Sequence, residues 1–196
     1  LSRNHISVNQ LAIHNLDYAQ DDLSSRGINV QIKQPQWLSP TQVVPFGEIQ
    51  LSAEQIYWQG EAIDELLIDA KYQAQDSTVY GASFQWRDAK VSGQAEQFQQ
   101  DWSLINVTID GLRLNTQQTQ SLQSKPWPLE AAKINHINSL DILRSDIQWQ
   151  EWHLVGFDAS FENLQLPFEP WYQKQGSLSL QADSVSINDE QWISPS

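Results

Sequence analysis

The chain is predicted to be all-β with minor helix: a curved antiparallel sheet, meandering or groove-forming, built from tandem repeats. Three observations in its 196 residues carry this prediction. Apolar and polar residues alternate in short runs along the chain, helical periodicity is nearly absent, and blocks of similar character recur in one order.

The alternation begins at Ile6 and Val8 and continues through Ile28, Val30 and Ile32, then Ile49, Leu51 and Ala53, then Leu66, Ile68 and Ala70. It resumes at Phe84 and Trp86, at Ile105, Val107 and Ile109, at Phe157, Ala159 and Phe161, at Leu178, Leu180 and Ala182, and at Val185 and Ile187. A period of two places each set on one face of a strand, so these segments read as strands buried on one side. The spacing predicts roughly ten or more strands, with helix below about a fifth of the residues. Two short helical turns are predicted, one at 39–44 opened by Ser39-Pro40 and one at 128–133, where good helix formers follow a proline. Stretches 19–27, 33–47, 115–128 and 167–176 are loops by composition.

Four blocks recur. Phe84-Gln-Trp-Arg-Asp-Ala-Lys-Val-Ser-Gly93 matches Ile147-Gln-Trp-Gln-Glu-Trp-His-Leu-Val-Gly156, and Ile105-Asn-Val-Thr-Ile-Asp-Gly-Leu-Arg-Leu114 matches Phe157-Asp-Ala-Ser-Phe-Glu-Asn-Leu-Gln-Leu166. Segment 63–68 pairs likewise with 137–142, and Gly47 to Ile56 with Gly176 to Val185. The expectation is one β-rich domain over 1–196, with repeat units near 47–115 and 135–167 and a further unit opening at 176. Leu112 and Leu114 fall out of phase with Ile105, Val107 and Ile109, and Asp110-Gly111 and Glu162-Asn163 stand at the break. Gly and Asn tolerate positive φ, so a bulge there would return the apolar side chains to a common face and curve the sheet. A meandering sheet with one apolar face must fold over it or accept an apolar ligand.

Lys and Arg number 11 against 24 Asp and Glu, a formal charge of −13. Such a surface repels phosphates, so no nucleic acid is expected as a partner. Charged residues are only 18%, below the ~25% usual for soluble domains, and 27 Gln and 21 Ser make the polar surface mostly uncharged. With no Cys, thiol nucleophiles, thiolate metal sites and disulfides are excluded. No Met occurs even at position 1, which predicts a processed or excised piece whose targeting or anchoring segment lies outside it.

No catalytic constellation emerges. His5, His14, His136 and His153 lack the spacing that aims two imidazoles at one metal, so no metal or other cofactor is expected. The doublets Asp21-Asp22 and Asp64-Glu65 point to opposite faces of a strand and read as solvated surface. Asn106-Val107-Thr108 spells a glycosylation triplet but lies inside a strand, and nucleophile elbows, phosphate loops and calcium loops are missing. The protein reads as a non-enzyme. Of nine tryptophans, Trp86 and Trp149 hold matching repeat positions and are expected to be largely buried core residues, while Trp37, Trp127 and Trp171 beside prolines pin loops. Trp152, where the first unit has Ala89, is expected to line a ligand-facing surface. The candidate apolar groove comprises Ile105, Val107, Ile109, Trp152, Phe157 and Phe161, with Ala159 continuing the face.

The runs Gly47 to Trp58, Phe84 to Gly93 and Trp102 to Leu114 resemble the repeat texture of the AsmA family, a resemblance covering about residues 47–190. It implies a β-rich periplasmic body of a large Gram-negative envelope protein, tethered to the inner membrane by an N-terminal helix outside this piece. It also implies a groove-forming sheet of the bridge-like lipid-transfer kind, with phospholipid acyl chains and other envelope proteins as partners. The implied role is lipid handling, or outer-membrane assembly and homeostasis, without catalysis. Two alternatives stay open: a carbohydrate-binding β module using exposed tryptophans, and a ligand-free spacer with a closed core.

Overall fold

The computed structural model describes residues 8–124, 133–166 and 176–187, and the backbone of 190–193. Its strands are β1 (Gln10–Gln20), β2 (Leu23–Gln36), β3 (Phe46–Trp58), β4 (Glu61–Tyr72), β5 (Thr78–Trp86), β6 (Ala89–Phe98), β7 (Asp101–Asp110), β8 (Arg113–Leu114), β9 (Ile134–Trp149), β10 (Trp152–Gln165), β11 (Ser177–Gln181), β12 (Ser184–Ile187) and β13 (Glu190–Ile193). All belong to one open sheet whose path runs β1 through β7, then β9, β10, β12 and β13, with β8 beside β9 and β11 beside β10. The all-β class with minor helix is as the sequence predicts.

Two-residue turns join most neighbours. Pairs Gln20↔Leu23, Trp58↔Glu61, Trp86↔Ala89, Phe98↔Asp101 and Trp149↔Trp152 close five hairpins, and Asp21, Gln59, Arg87, Gln99 and Gln150 each open the turn with φ between 47° and 60°. Positive φ at the first turn position matches the twist of the flanking strands, which holds the meander tight. The loop expected at 19–27 is therefore strand except for Asp21 and Asp22, because charged and polar residues here occupy exposed strand positions.

The sheet is mostly antiparallel, as expected, with one exception: β7 and β8 run parallel to β9. A parallel neighbour needs a crossover, and α1 (Thr116–Ser124) lies in it, within a stretch read from composition as loop. Asn115 Oδ1 accepts a hydrogen bond from Gln118 N at 2.8 Å, and Gln118 Oε1 accepts one from Asn115 N at 2.9 Å. This reciprocal capping box starts the helix despite its low apolar content. The turn expected at 39–44 is present, closed by Gln42 N donating to Ser39 O at 3.2 Å, but it forms no helix. The helical turn expected at 128–133 falls almost wholly outside the described residues, as does the loop at 167–175.

One cluster of buried residues packs above a corner of the sheet. Buried Ala89, Leu112 and Leu114 gather Trp86, Val91, Ile109 and Leu122 of α1 around them. Gly111, at φ 84°, supplies the phase change that turns Leu112 and Leu114 into this cluster, as its place in the sequence predicts. Trp86 is half-buried here, with Nε1 donating to Glu61 Oε2 at 3.0 Å and the Arg87 guanidinium 5.5 Å above its ring. Trp149 differs from that expectation: it is 42% exposed, because its cross-strand partner is the equally exposed Trp152 and not a buried alanine.

The register reveals a repeat of longer period than three of the four sequence matches suggest. Leu11↔Ile32 recurs as Leu140↔Phe161, Leu23↔Trp58 as Trp152↔Ile187, Ile32↔Ile49 as Phe161↔Leu178, and Trp58↔Glu61 as Ile187↔Glu190, each 129 residues on. Positive φ recurs with the same offset at Asn15 and Arg144, Asp21 and Gln150, Gly27 and Gly156, and Gln34 and Asn163. The hydrogen bonds at the bulges recur as well: Gly27 N donates to Asp17 Oδ1 at 2.8 Å and Gly156 N to Asp146 Oδ1 at 3.0 Å. Strands β1 to β3 thus reappear as β9, β10 and the β11–β12 pair. Only the match of 47–56 with 176–185 carries this offset. Segments 63–68 and 84–86 lie on two antiparallel strands, β4 and β5, whereas their counterparts 137–142 and 147–149 share the single strand β9.

Candidate functional site

Cross-strand partners share a face, so the register pairs can be followed across the sheet as rows. One row reads Leu11, Ile32, Ile49, Ala70, Val79, Ala95, Leu104, Ile137, Leu164, from β1 to β10 without a polar residue. Two residues along, a second row starts as Ile13, Val30, Leu51, Ile68, Ala82 and Gly93, and continues beyond the β6–β7 bulge as Val107, Leu140, Phe161 and Leu178. A third contains Phe84, Val91, Ile109, Ile142, Ala159 and Leu180.

The opposite face is as consistently polar. Gln10, Lys33, Glu48, Lys71, Thr78, Glu96, Ser103, His136 and Gln165 form one row. Asn29, Ser52, Leu67, Ser83, Ser92, Thr108, Asp141, Ser160 and Ser179 form another, broken only by the exposed Leu67. Histidine chemistry is absorbed here: His136 Nδ1 is 2.8 Å from Ser103 Oγ and its Nε2 is 2.8 Å from Asn163 Oδ1. A shallow depression of about 560 Å³ on this face takes in His14, Gln31, Gln50 and Asp69.

Among the described residues the cover of the apolar face is partial: Ile32, Ala95, Ile137 and Leu164 of the first row are buried and Val44 of the loop before β3 shares a depression with Ile49 and Leu51, while the rest of that row is half-buried. Strands touch their neighbours in the sheet, and the remaining packing of any extent is α1 against β8 and β9. Bulges keep the face in phase: Glu65, Arg144 and Asn163 adopt φ of 53°, 47° and 56° where a strand would otherwise turn its side chains over. A depression of about 290 Å³ on this face is lined by Val44, Ile49, Leu51, Ile68, Ala70, Tyr72, Val79 and Trp102.

Of the residues expected to form a groove, Val107 and Phe161 stand in one row, joined by Leu140, and Ile109 and Ala159 in the next, joined by Ile142. Phe157 pairs with the fully buried Ser145 between two register shifts. Ile105 departs from the expectation: it falls inside the shift between Ser92↔Thr108 and Ala95↔Leu104, and Leu104 takes the row position. Trp152 sits at the hairpin end of β10, flanked by Trp149 and Ile187. The rows across β2 to β5, with Val30, Leu51, Ile68 and Ala82, were not singled out from the sequence, although their alternation is as clear as that of β7.

A single open sheet, apolar on one face and polar on the other, defines a class of protein that presents a continuous surface. The family model of the AsmA family matches residues 3–196, and the chain belongs to that family. Membership associates it with the bacterial envelope. None of the curated proteins or solved structures compared with the chain matches it. Among the described residues no helix is long and apolar enough to cross a membrane.

Proposed function

We propose that the protein is a non-catalytic periplasmic module that shelters phospholipid acyl chains on the apolar face of its sheet, serving lipid transfer and outer-membrane homeostasis. The observation that carries this reading is the unbroken row from Leu11 to Leu164, backed by two parallel apolar rows, with every described strand in the one sheet. Strands lie about 4.8 Å apart, so nine of them carry the row over about 38 Å. Two acyl chains laid end to end span the ~30 Å hydrocarbon core of a bilayer, so the row is longer than a lipid's apolar part. The second row lies about 6.7 Å to one side of the first and the third as far again beyond it, giving a strip wider than one chain. The opposite face, with Lys33, Glu48, Lys71 and Glu96 in one row and mostly Asn, Ser and Thr in the next, keeps the other side in water. A spacer with a closed core is disfavoured because every described strand belongs to one sheet and Leu11, Ile49, Val79 and Leu104 of the row are only half-buried.

The test is site-specific photocrosslinking in the full-length protein in cells. A benzophenone side chain at Ile68 faces the strip, and one at Asp69 faces away from it. Lipid adducts from position 68 and none from 69 are expected; equal yields, or none from either, would remove the reading.

A further inference from the structure

We propose that the outer edge of β1 is a docking site for a parallel β-strand of β7 character, supplied by a further repeat of the same kind on the same polypeptide. The inference does not depend on what the apolar face holds. It rests on the equivalence of β1 with β9, whose register with the following strand is identical at an offset of 129 residues. One edge of β9 is taken by its hairpin partner β10, as one edge of β1 is taken by β2. The other edge of β9 is taken by β7 and β8, in parallel. On β1 no described strand pairs with that edge.

The exposed side chains mark the vacancy. Ser145 on β9 is 0% exposed, while its counterpart Leu16 is 44% exposed, in a strand whose described residues are exposed at all positions but Leu11. Edge strands usually carry protection against added strands: short length, Lys or Pro. β1 is eleven residues long, Gln-Leu-Ala-Ile-His-Asn-Leu-Asp-Tyr-Ala-Gln, with Asp17 as its single charge and neither Lys nor Pro.

The chemistry of the occupant follows from β7. Val107 and Ile109 face Leu140 and Ile142, so aliphatic residues should face Leu11 and Ile13; Asn106 and Thr108 face Ser139 and Asp141, so small polar ones should face Gln10 and Ala12. Asp146 N donates to Leu112 O at 2.9 Å and Leu143 O accepts from Gly111 N at 2.9 Å, which assigns the equivalent backbone bonds to Asp17 N and His14 O. A second copy continuing the sheet would offer β13, and the alternation of strand directions sets β13 antiparallel to β1. That arrangement lacks the β7–β9 precedent.

The test is hydrogen exchange followed by mass spectrometry on the natural full-length protein, comparing peptides from β1 and β9. Protection of residues 14–18 equal to that of 143–147, and unchanged by dilution, is expected. Exchange in β1 about a hundredfold faster than in β9 overturns the proposal, and so does protection that fades on dilution, which assigns the edge to another molecule. A density map of the same protein supplies the direction: a parallel strand beside β1 supports the proposal and an antiparallel one refutes it.

Discussion

Replacing Val107 with Lys separates an open face from a closed core by the size of the penalty. Val107 lies on the second apolar row beside Leu140, half-buried, with its Cγ2 near the backbone of Gly93. Fully burying a valine is worth about 1.5 to 3 kcal/mol, so losing a half-buried one costs roughly 1 kcal/mol. Val107 is half-buried and every described strand belongs to the one sheet, so the lysine stem can lie along the strip with its ammonium in water, and no charge is buried. The total should stay below about 2 kcal/mol, a fall in melting temperature of about 4 to 8 °C for a chain of this size. Under a closed core the same change would bury an unpaired charge, among the few lesions costing more than about 4 kcal/mol, a large share of the 5 to 15 kcal/mol that holds a domain folded. Thermal melts followed by circular dichroism, on the full-length protein purified without lipid, give the answer. A variant that fails to fold would refute the open face; one that folds and has lost lipid crosslinking at Ile68 agrees with it.

Other positions give further outcomes. Gly156 has φ 58° and a Cβ there would lie 2.0 Å from Asp183 Oδ2, so Gly156→Ala should cost about 1 to 2 kcal/mol from the left-handed backbone alone, read as a lower melting temperature; an unchanged melt would remove the bulge from the list of constraints. Glu61 accepts bonds from Trp86 Nε1 and Arg87 Nε at 3.0 and 2.9 Å, so Glu61→Ala should destabilise by about 1 to 3 kcal/mol and raise the exposure of Trp86 to fluorescence quenchers. The hydrogen bond from Arg144, with its charge, holds the Asp110 carboxyl below its ordinary value. A depressed folded-state value means that this support is complete above the ordinary carboxylate range and is lost as pH falls through the lowered one. Arg144→Gln should therefore raise the Asp110 midpoint in an NMR titration, and added salt should shrink the difference because both groups are solvated.

The fold class was legible because alternation is a local property: Ile28-Val30-Ile32 and Ile105-Val107-Ile109 announce strands without knowledge of their neighbours. The fusion of those segments into rows was not, because register depends on turns and bulges that place positive φ on residues such as Arg144, Gln34 and Glu65, which have no composition signal. Where Gly or Asn held the position, as at Gly111 and Asn163, the phase break could be read. The 129-residue repeat hid for the same reason. It preserves Asp17 and Asp146, Gly27 and Gly156, and Gly47 and Gly176, while the aliphatic positions exchange among Ile, Val, Leu and Phe. Matching by texture instead aligned the hairpin at Arg87-Asp88 with that at Gln150-Glu151, which share a turn but not their flanking strands. The helix at 116–124 was legible in the Asn115 to Gln118 spacing and was hidden by its polar composition.

An open sheet makes stability and occupancy one quantity. A sheet normally covers its apolar face with a second layer, and among the described residues α1 packs over one corner of it. Under the proposed function the acyl chains take the place of that layer, so lipid binds the folded chain and not the unfolded one. Such a ligand stabilises by RT ln(1 + [L]/Kd), about 2.7 kcal/mol at a hundredfold excess over Kd. At about 2 to 4 °C per kcal/mol, this raises the melting temperature by roughly 5 to 11 °C on loading. The comparison is between full-length protein stripped of lipid and the same preparation reloaded with phospholipid. It should be made in wild type and in Val107→Lys, whose strip is interrupted between Gly93 and Leu140. A rise in the wild type that is much smaller in the variant ties the stabilisation to this face. Equal rises place the lipid elsewhere, and no rise in either removes acyl chains as the missing layer.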